Sequence, residues 1–381
     1  MNPRQLSFDV QQAKAIVLPG ALIEAMDERD GHGQSGMLVT RPALQVFDAY
    51  CASAQQLPSE IAEVMEWQGY ERISEPELAP QSMLMLFQQL RAHGGSWMDL
   101  RVQCQRVTAE LQRHAASIEV EGNKVVALAA RTRALGANKE SWESLQQAPP
   151  VALDSHDRQL IAAMGGELVQ LHALVDDYYQ QVDTLHIGLQ VFRDTARERL
   201  IPSILEKCRA AKRFSGSPEA FDLDWELEML NEDIRAVQRE YQLYLRQSWL
   251  GWADGPFDFL ISRSIYGSKA AAALAEIRSL EHRHRQLSLR LAQHRWVEGR
   301  VNLLEGEMQL LVTELWDVVV ASGHLHSAWQ TIEAYLESAM QRLQRMDTRQ
   351  QLAMFMFYFR QFLGQWAAIG EHATGMGKVF G

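Results

Sequence analysis

Cysteine is scarce in this sequence of 381 residues. Its three copies, Cys51, Cys104 and Cys208, lie far apart and form no Cys-x-x-Cys pair. An odd number of widely spaced cysteines favours neither a disulfide framework nor a structural zinc site. We therefore expect buried free thiols, and we expect no metal or other cofactor.

Long apolar runs are missing as well. The first ten residues lack the apolar core of a signal peptide, and no uncharged apolar run approaches the roughly 18 residues that a spanning helix needs. We expect a chain that is made in soluble form. If it is secreted, it is expected to leave the cell without a recognisable signal peptide.

Basic residues are fewer than acidic residues. The 37 Lys and Arg residues are outnumbered by 48 Asp and Glu residues, which gives a formal net charge of −11, and no basic cluster offsets it. This balance excludes an electrostatic basis for binding nucleic acid. Any contact with a membrane must therefore rest on apolar side chains rather than on attraction to anionic lipid.

What is present resembles a soluble globular protein, with 47% hydrophobic and 22% charged residues. Proline and glycine interrupt the first hundred residues closely, at Pro19, 30–36, Pro42, Pro58, Pro76, Pro80 and Gly94–Gly95. This spacing predicts short helices over residues 1–95, packed on a helical bundle. Thr40 is the expected N-cap of one of these helices.

Beyond residue 95 the proline-free stretches become long. They run over about 96–135, 155–200, 225–248 and 269–346. The predicted fold is all-α, an elongated bundle of very long antiparallel coiled-coil helices with a small apolar head at one end. Residues 96–248 form the first part of the stalk, 249–268 the head, and 269–381 the second part of the stalk and a C-terminal core helix.

Heptad patterns of apolar residues support the prediction of long helices. Apolar residues step by three and four along residues 301–343, at Val301, Leu304, Met308, Leu311, Leu315, Val318, Leu325, Trp329, Ile332, Leu336 and Leu343. A second seam contains Leu227, Leu230, Ile234, Val237, Tyr241 and Tyr244. A single helix over 269–346 would span about 110 Å. The seam weakens near His294 to Arg300, where Gly299 permits a kink.

The head, residues 249–268, joins two heptad helices and is unusually apolar for a connection. Its candidate membrane-binding residues are Trp249, Leu250, Trp252, Phe257, Phe259, Leu260, Ile261, Ile265 and Tyr266. Insertion of Asp254, Asp258 and Arg263 at a bilayer centre would cost on the order of 8–10 kcal/mol, against roughly 2–4 gained from the apolar side chains. The head is therefore suited to the membrane interface or to support by a partner that crosses.

Several stretches resemble a known family. They are Gly69–Ile73, Leu84–His93, Ser96–Leu100, Ile265–Ala270, Gln365–Gly370 and Lys378–Gly381. Together they resemble the A components of the alpha-xenorhabdolysin-type binary toxins, the XaxA and YaxA subunits of the ClyA-like α-pore-forming class. The likeness covers nearly the whole chain in order but rests on scattered residues.

The resemblance implies a cytolysin or haemolysin subunit. Such a subunit is a soluble rod that is not an enzyme, meets target-cell membrane lipid through its head, and assembles with a second (B) toxin subunit into a hetero-oligomeric pore. The family's head is nearly uncharged, whereas this one carries Asp254, Asp258 and Arg263. That departure favours an interfacial or supporting role. The alternative is a coiled-coil scaffold or tether whose aromatic tip docks a protein partner.

Other patterns do not predict chemistry. Residues 31–36 match Gly-x-Gly-x-x-Gly but lack the preceding strand that a dinucleotide site needs. His282 and His284, like His324 and His326, are two residues apart and so face different sides of a helix, which argues against a metal site. His282 and His284 are hypothetical acid-sensitive switches. The apolar run 352–359 is expected to belong to the core, because a helix that is apolar all round usually lies inside a bundle.

Overall fold

A computed structural model describes residues 8–27, 38–69, 75–137, 142–145, 149–214, 221–248, 256–294 and 296–376. Helices account for nearly all of these residues. These residues contain no β-strand, and an isolated bridge pairs Ala152 with Thr348. The prediction of an all-α fold is confirmed.

The helices before Pro80 are short or of moderate length, and the long helices all begin at or after Pro80. A 3₁₀ turn (Pro76–Leu78) precedes α4, and a π turn (Ala196–Leu200) joins α6 to α7. The helices are α1 (Phe8–Asp27), α2 (Arg41–Gln55), α3 (Ile61–Gln68), α4 (Pro80–Ala130), α5 (Trp142–Leu145), α6 (Ser155–Thr195), α7 (Ile201–Phe214), α8 (Phe221–Ser248), α9 (Pro256–His294), α10 (Trp296–Gln344) and α11 (Arg349–Met376).

Helix ends follow local chemistry. Thr40 caps α2 as predicted, because its hydroxyl accepts the backbone N–H of Ala43 at 3.3 Å. Asp154 caps α6 in the same way through the N–H of Asp157, at 2.8 Å. Gly69 ends α3 with a left-handed φ of 70°, a conformation that costs glycine little. These caps fix where the chain enters and leaves the bundle.

Two expected breaks are absent from the described helices. Pro19 lies inside α1, and Gly94–Gly95 lie inside α4, which runs without interruption from Pro80 to Ala130. The glycine pair allows a close crossing instead, because a Cβ on Gly94 would lie 3.0 Å from that of Ala54 on α2. The thiol of Cys51 also donates to the carbonyl of Gly94 at 3.2 Å. Close helix packing, rather than a turn, explains these glycines.

The long helices pair antiparallel. The Tyr178 hydroxyl of α6 donates to the carbonyl of Val107 on α4 at 2.8 Å, and just beyond the end of α4 the backbone N–H of Arg133 donates to Asp157 of α6 at 2.7 Å. Because residue numbers rise on one helix as they fall on the other, the two run in opposite directions. Helix α10 then lies antiparallel to α6, with His326 2.9 Å from Asp183.

The core is built around α10. The predicted seam on this helix is buried from Val301 to Leu343, apart from a half-buried Leu304. Its other faces are also largely covered, and Thr331 to Leu336 are all buried. The innermost helix is therefore α10. The run 352–359 on α11 is buried at Leu352, Phe355, Met356 and Phe359, which confirms its predicted place in the core, although Met354 is 43% exposed.

The expectation of one helix over 269–346 was wrong. Helix α9 ends at His294 and α10 begins at Trp296, within the weak part of the seam, and the two helices run antiparallel rather than forming a rod of about 110 Å. Arg278 contacts Glu314 and Arg285 lies 3.9 Å from Glu307, which fixes the register. Gly299 makes the reversal possible, because a Cβ there would overlap the backbone of Ala292.

Helices α8 and α9 form a second antiparallel pair, here called the hairpin. Leu227 and Leu223 of α8 pack against Leu291 and Leu287 of α9, while the opposite end of the pair brings Lys269 to Tyr244. The predicted seam on α8 is buried at Leu227, Leu230, Ile234 and Tyr241. This seam faces chiefly the adjacent α9, and α9 in turn lies on α10.

Candidate functional site

The head falls at the far end of the hairpin, and part of it can be located. Trp249, Leu250 and Trp252 lie outside the described residues. Helix α9 begins at Pro256, so Phe257, Phe259, Leu260, Ile261 and Ile265 occupy its first turns, although their side chains also lie outside the description. Tyr266 is half-buried. The membrane-binding role of these nine residues stays a prediction.

Lys269 joins the two arms of the hairpin just below the head. Its ammonium lies 5.7 Å from the ring centroid of Tyr244 on α8 and 5.5 Å from that of Tyr266 on α9. A cation held over two aromatic rings stabilises both by a modest electrostatic attraction. Lys269 therefore helps to close the hairpin where the head begins.

The first turns of α9 lie along the bundle. Because α9 runs antiparallel to α10, residues before Arg278 lie opposite residues after Glu314. Helix α1 packs on the same part of α10, where Asp9 contacts Arg342 at 3.3 Å, and α1 also contacts α9. The start of α9 thus has protein neighbours. The position of the whole head at one end of the bundle stays a prediction, because 249–255 lie outside the described residues.

A buried ion pair anchors the middle of the hairpin. The guanidinium of Arg278 donates to both oxygens of Glu314, at 2.7 and 3.0 Å, and Glu314 is 1% exposed. A two-point contact of this kind fixes orientation as well as distance. It sets the register of α9 on α10.

Below this pair, polar side chains replace the apolar contact between α9 and its neighbours. We call this set the polar layer. It comprises Glu281, His284 and Ser288 of α9, Glu298, Asn302 and Glu305 of α10, and Cys208 of α7, all of them buried. The thiol of Cys208 lies 3.7 Å from the Glu305 carboxylate, to which it donates a weak hydrogen bond.

Gly306 allows the side chains of Glu281 and His284 to pack directly against α10. A Cβ at this position would lie 2.8 Å from Nδ1 of His284 and 3.3 Å from Oε2 of Glu281. Both side chains therefore rest directly on the backbone of α10. A cavity of about 190 Å³ opens beside them, between the two helices.

Burial changes the protonation of this layer. It raises the pKa of Glu281 to about 8, with a further rise from the neighbouring Glu305 carboxylate. Burial likewise raises the pKa of Glu305 and of Glu307. Burial lowers the pKa of His284 to about 4. At neutral pH both Glu281 and His284 are therefore uncharged, and His284 cannot act as the hypothetical switch between pH 5 and 8 while it stays buried.

A larger cavity, of about 500 Å³, lies between α4 and α6, but its histidine is fully engaged. The ring nitrogens of His93 lie 2.8 Å from the Tyr50 hydroxyl and 2.9 Å from the carbonyl oxygen of Phe192. The ring also stacks on that of Phe192, with centroids 3.9 Å apart. Such contacts hold the three helices α2, α4 and α6 together and leave no ring nitrogen for proton transfer.

Two further tests concern the described part of the chain. No helix there combines the length and apolarity needed to cross a bilayer. No group of three or more His, Cys, Asp or Glu side chains within those residues is placed to hold a metal ion. All three cysteines are buried and free, as predicted.

Comparison with solved structures shows that the fold of this chain is similar to known ones. The chain matches soluble SmhA of the tripartite alpha-pore forming toxin Smh from Serratia marcescens with a TM-score of 0.52, at 13% identity, over 98% of this chain and 95% of that chain. It matches a chain of the YaxAB pore complex with a TM-score of 0.50, at 18% identity, over 90% and 97%. The chain has the fold of these toxin proteins.

A third structure, YaxA from Yersinia enterocolitica, gives a TM-score of 0.49 at 17% identity over 89% of this chain and 96% of that chain. No protein-family model and no curated protein matches the chain. At such low identities the matches establish the fold alone. The fold that the sequence resemblance implied is confirmed.

Proposed function

We propose that this chain is a soluble, non-enzymatic subunit of an α-helical pore-forming toxin. It contacts the target membrane through its head and assembles with a second subunit into an oligomeric pore. The observation that carries the proposal is the fold match to SmhA and to the YaxAB pore complex, which spans at least 90% of this chain and at least 95% of theirs. A match of this extent covers the whole architecture rather than one common motif.

The head is the part of the chain best suited to lipid. It concentrates Trp, Phe, Ile and Tyr at the end of a two-helix hairpin, and aromatic side chains favour the boundary between headgroups and acyl chains. Asp254, Asp258 and Arg263 oppose deep insertion. The head is therefore proposed to enter the interface and to support a partner subunit that crosses the bilayer.

The remaining parts of the proposal follow from this role. The chain is proposed to act outside its cell of origin and to reside at the target-cell membrane after assembly. The engaged ring of His93 supports a non-enzymatic role, because the cavity beside it offers no free acid–base pair with that histidine.

Vesicle flotation tests the membrane contact. The purified chain is mixed with vesicles of phosphatidylcholine and cholesterol, which are neutral and so report apolar contact alone. We expect the chain to float with the vesicles and the triple variant Trp249→Ser, Trp252→Ser, Phe257→Ser to remain in the dense fraction. Trp225→Ser is the matched control, because Trp225 is 61% exposed but lies outside the head.

Release of a dye trapped in the vesicles tests pore assembly. The second subunit in this assay is whichever long-helix protein a neighbouring reading frame is found to encode. Leakage that needs both proteins is the expected result. A chain that binds the second protein but never floats or releases dye would indicate the scaffold or tether instead, and would contradict the proposal.

A further inference from the structure

The buried face by which α9 packs onto the bundle is apolar in its N-terminal half and mostly polar in its C-terminal half. Seven buried positions follow one another in steps of three and four, namely Ala270, Ala273, Ile277, Glu281, His284, Ser288 and Leu291. Such positions of a packed helix are ordinarily apolar. Here the three consecutive positions 281, 284 and 288 are polar, so the C-terminal half of α9 is docked through groups that prefer water.

Several polar atoms of these side chains lack hydrogen-bond partners once they are buried. Oε1 of Glu281, Nε2 of His284, Oγ of Ser288 and Nδ2 of Asn302 have no hydrogen-bond partner among the described residues. A buried polar atom without a partner costs about 1–3 kcal/mol of the folding free energy. Docking of the hairpin is therefore weakest at the polar layer.

The groups that face Glu281 are mostly acidic. Glu305 of α10 is the nearest charge and raises the pKa of Glu281, while Glu298 lies in the same layer. The arginines of α9 are directed elsewhere, since Arg278 binds Glu314 and Arg285 approaches Glu307. His282 is exposed and contacts Gln286, and Arg283 is exposed.

Cations on the neighbouring helices act on Glu305 rather than on Glu281. Arg235 of α8 and Lys212 of α7 both lower the pKa of Glu305 without reversing the effect of its burial. Lys212 also lies 3.9 Å from Glu228, and Cys208 of α7 hydrogen-bonds Glu305. An ionised Glu281 would thus meet a second carboxylate at a buried position, and neither Arg235 nor Lys212 is paired to it.

We propose that the hairpin stays docked on α10 only while Glu281 is uncharged, and that ionisation of this carboxyl in mildly alkaline solution releases the α8–α9 hairpin from the bundle. Water then reaches the polar layer, and the Glu281 carboxylate gains hydration in place of the Glu305 contact. Release would carry the head away from its neighbours on α1 and α10. That consequence rests on the proposed function, whereas the release itself does not.

The direction of the pH effect follows from linkage. Docking raises the pKa of Glu281 from 4.5 to about 8, so the docked state binds this proton more tightly, and docking weakens as the pH rises through that interval. His284 acts in the opposite sense, because docking lowers its pKa from 6.5 to about 4 and so docking weakens as the pH falls. The two effects oppose each other below pH 6.5. Between pH 6.5 and 8 Glu281 acts without that opposition.

Amide hydrogen exchange on the free, full-length protein tests the proposal. Exchange rates are corrected for intrinsic chemistry, so that they give the opening equilibrium of each helix. We expect the opening constant of α9 amides over residues 270–294 to rise by up to about tenfold per pH unit between pH 6.5 and 8. Amides in α4 and α6 are the internal reference and are expected to show no such rise.

Glu281→Gln supplies the decisive variant, because it keeps the shape of the side chain and cannot ionise. We expect it to lose the pH-dependent rise, whereas the matched control Glu276→Gln, on the exposed side of the same helix, should keep it. An unchanged rise in Glu281→Gln would overturn the proposal. So would an equal rise in α4 and α6, because it would report global unfolding rather than release of the hairpin.

Vesicle flotation of the same proteins distinguishes a failure of this inference from a failure of the proposed function. If exchange behaves as expected but flotation does not depend on pH, release occurs without serving membrane contact. In that case the inference about Glu281 stands, and the link to the head is refuted.

Discussion

Trp329 of α10 packs edge-on against Trp366 of α11, with ring centroids 5.5 Å apart and ring planes at 84°. Both side chains are almost fully buried. Tyr178 of α6 lies against the other side of Trp329, with centroids 4.9 Å apart. Three long helices therefore meet at one indole, which makes Trp329 a central contact of the bundle.

Trp329→Ala should destabilise the protein strongly. Removing a buried indole leaves a cavity among the three helices, and we expect a loss of about 3–5 kcal/mol in the free energy of unfolding. Chemical denaturation followed by circular dichroism measures this loss. Trp225→Ala, which removes an indole that is 61% exposed, should cost far less. Equal losses would mean that Trp329 does not pack as described.

The ion pair between Arg278 and Glu314 should be needed to dock the hairpin. Arg278→Ala would remove the two-point contact of the buried Glu314 carboxylate with the guanidinium, and we expect a loss of about 3 kcal/mol together with faster hydrogen exchange in α9. Arg290→Ala removes an exposed arginine of the same helix and should leave exchange nearly unchanged. Identical exchange in the two variants would refute the anchoring role of the pair.

The reversal of the chain between α9 and α10 should depend on Gly299. In Gly299→Ala the added methyl group would overlap the backbone of Ala292, so we expect a lower melting temperature and loss of protection in α9. Gly166→Ala is the control, because no atom lies within 4 Å of the added Cβ, and it should stabilise α6 by about 0.5–1 kcal/mol. A stabilising effect of Gly299→Ala would contradict the close approach of the two helices.

Acid should destabilise the protein through His93. Burial lowers the pKa of His93 from 6.5 to about 4, so its contribution to stability is complete above pH 6.5 and is lost as the pH falls towards 4. The loss at this site is on the order of 3 kcal/mol. Free energies of unfolding measured across this range should therefore fall less steeply in His93→Asn. His156→Asn changes an exposed histidine and should keep the slope of the unmodified protein.

Heptad patterning predicted much of the fold because burial and periodicity are local properties. The seam from Val301 to Leu343 and the seam on α8 point inwards, and Thr40 caps α2. The same reasoning was wrong about helix continuity. Gly94–Gly95 were expected to end a helix, but they permit the crossing of α2 over α4. A glycine signals either a turn or a close contact, and its local sequence does not distinguish them.

Part of the candidate site could likewise be predicted from the sequence, and part could not. The aromatic composition of the head is evident in the sequence, whereas its contacts depend on the reversal between α9 and α10. No role was predicted for Glu281, although His282 and His284 nearby were singled out as candidate switches. The steps from Ala270 to Leu291 contained the signal, since they place Glu281, His284 and Ser288 on a single seam. Their burial became evident once α10 and α7 were seen to cover that seam.

The sequence by itself determined that this protein is helical, where its long amphipathic stretches lie, and that an aromatic segment separates two of them. These features arise from side-chain periodicity and helix capping within a few turns. The tertiary structure decided that residues 269–346 fold back on themselves, that α10 is the innermost helix, and that a carboxyl group is buried beside another one. Such outcomes depend on the free energy of contacts between residues far apart in the chain, which no local pattern records.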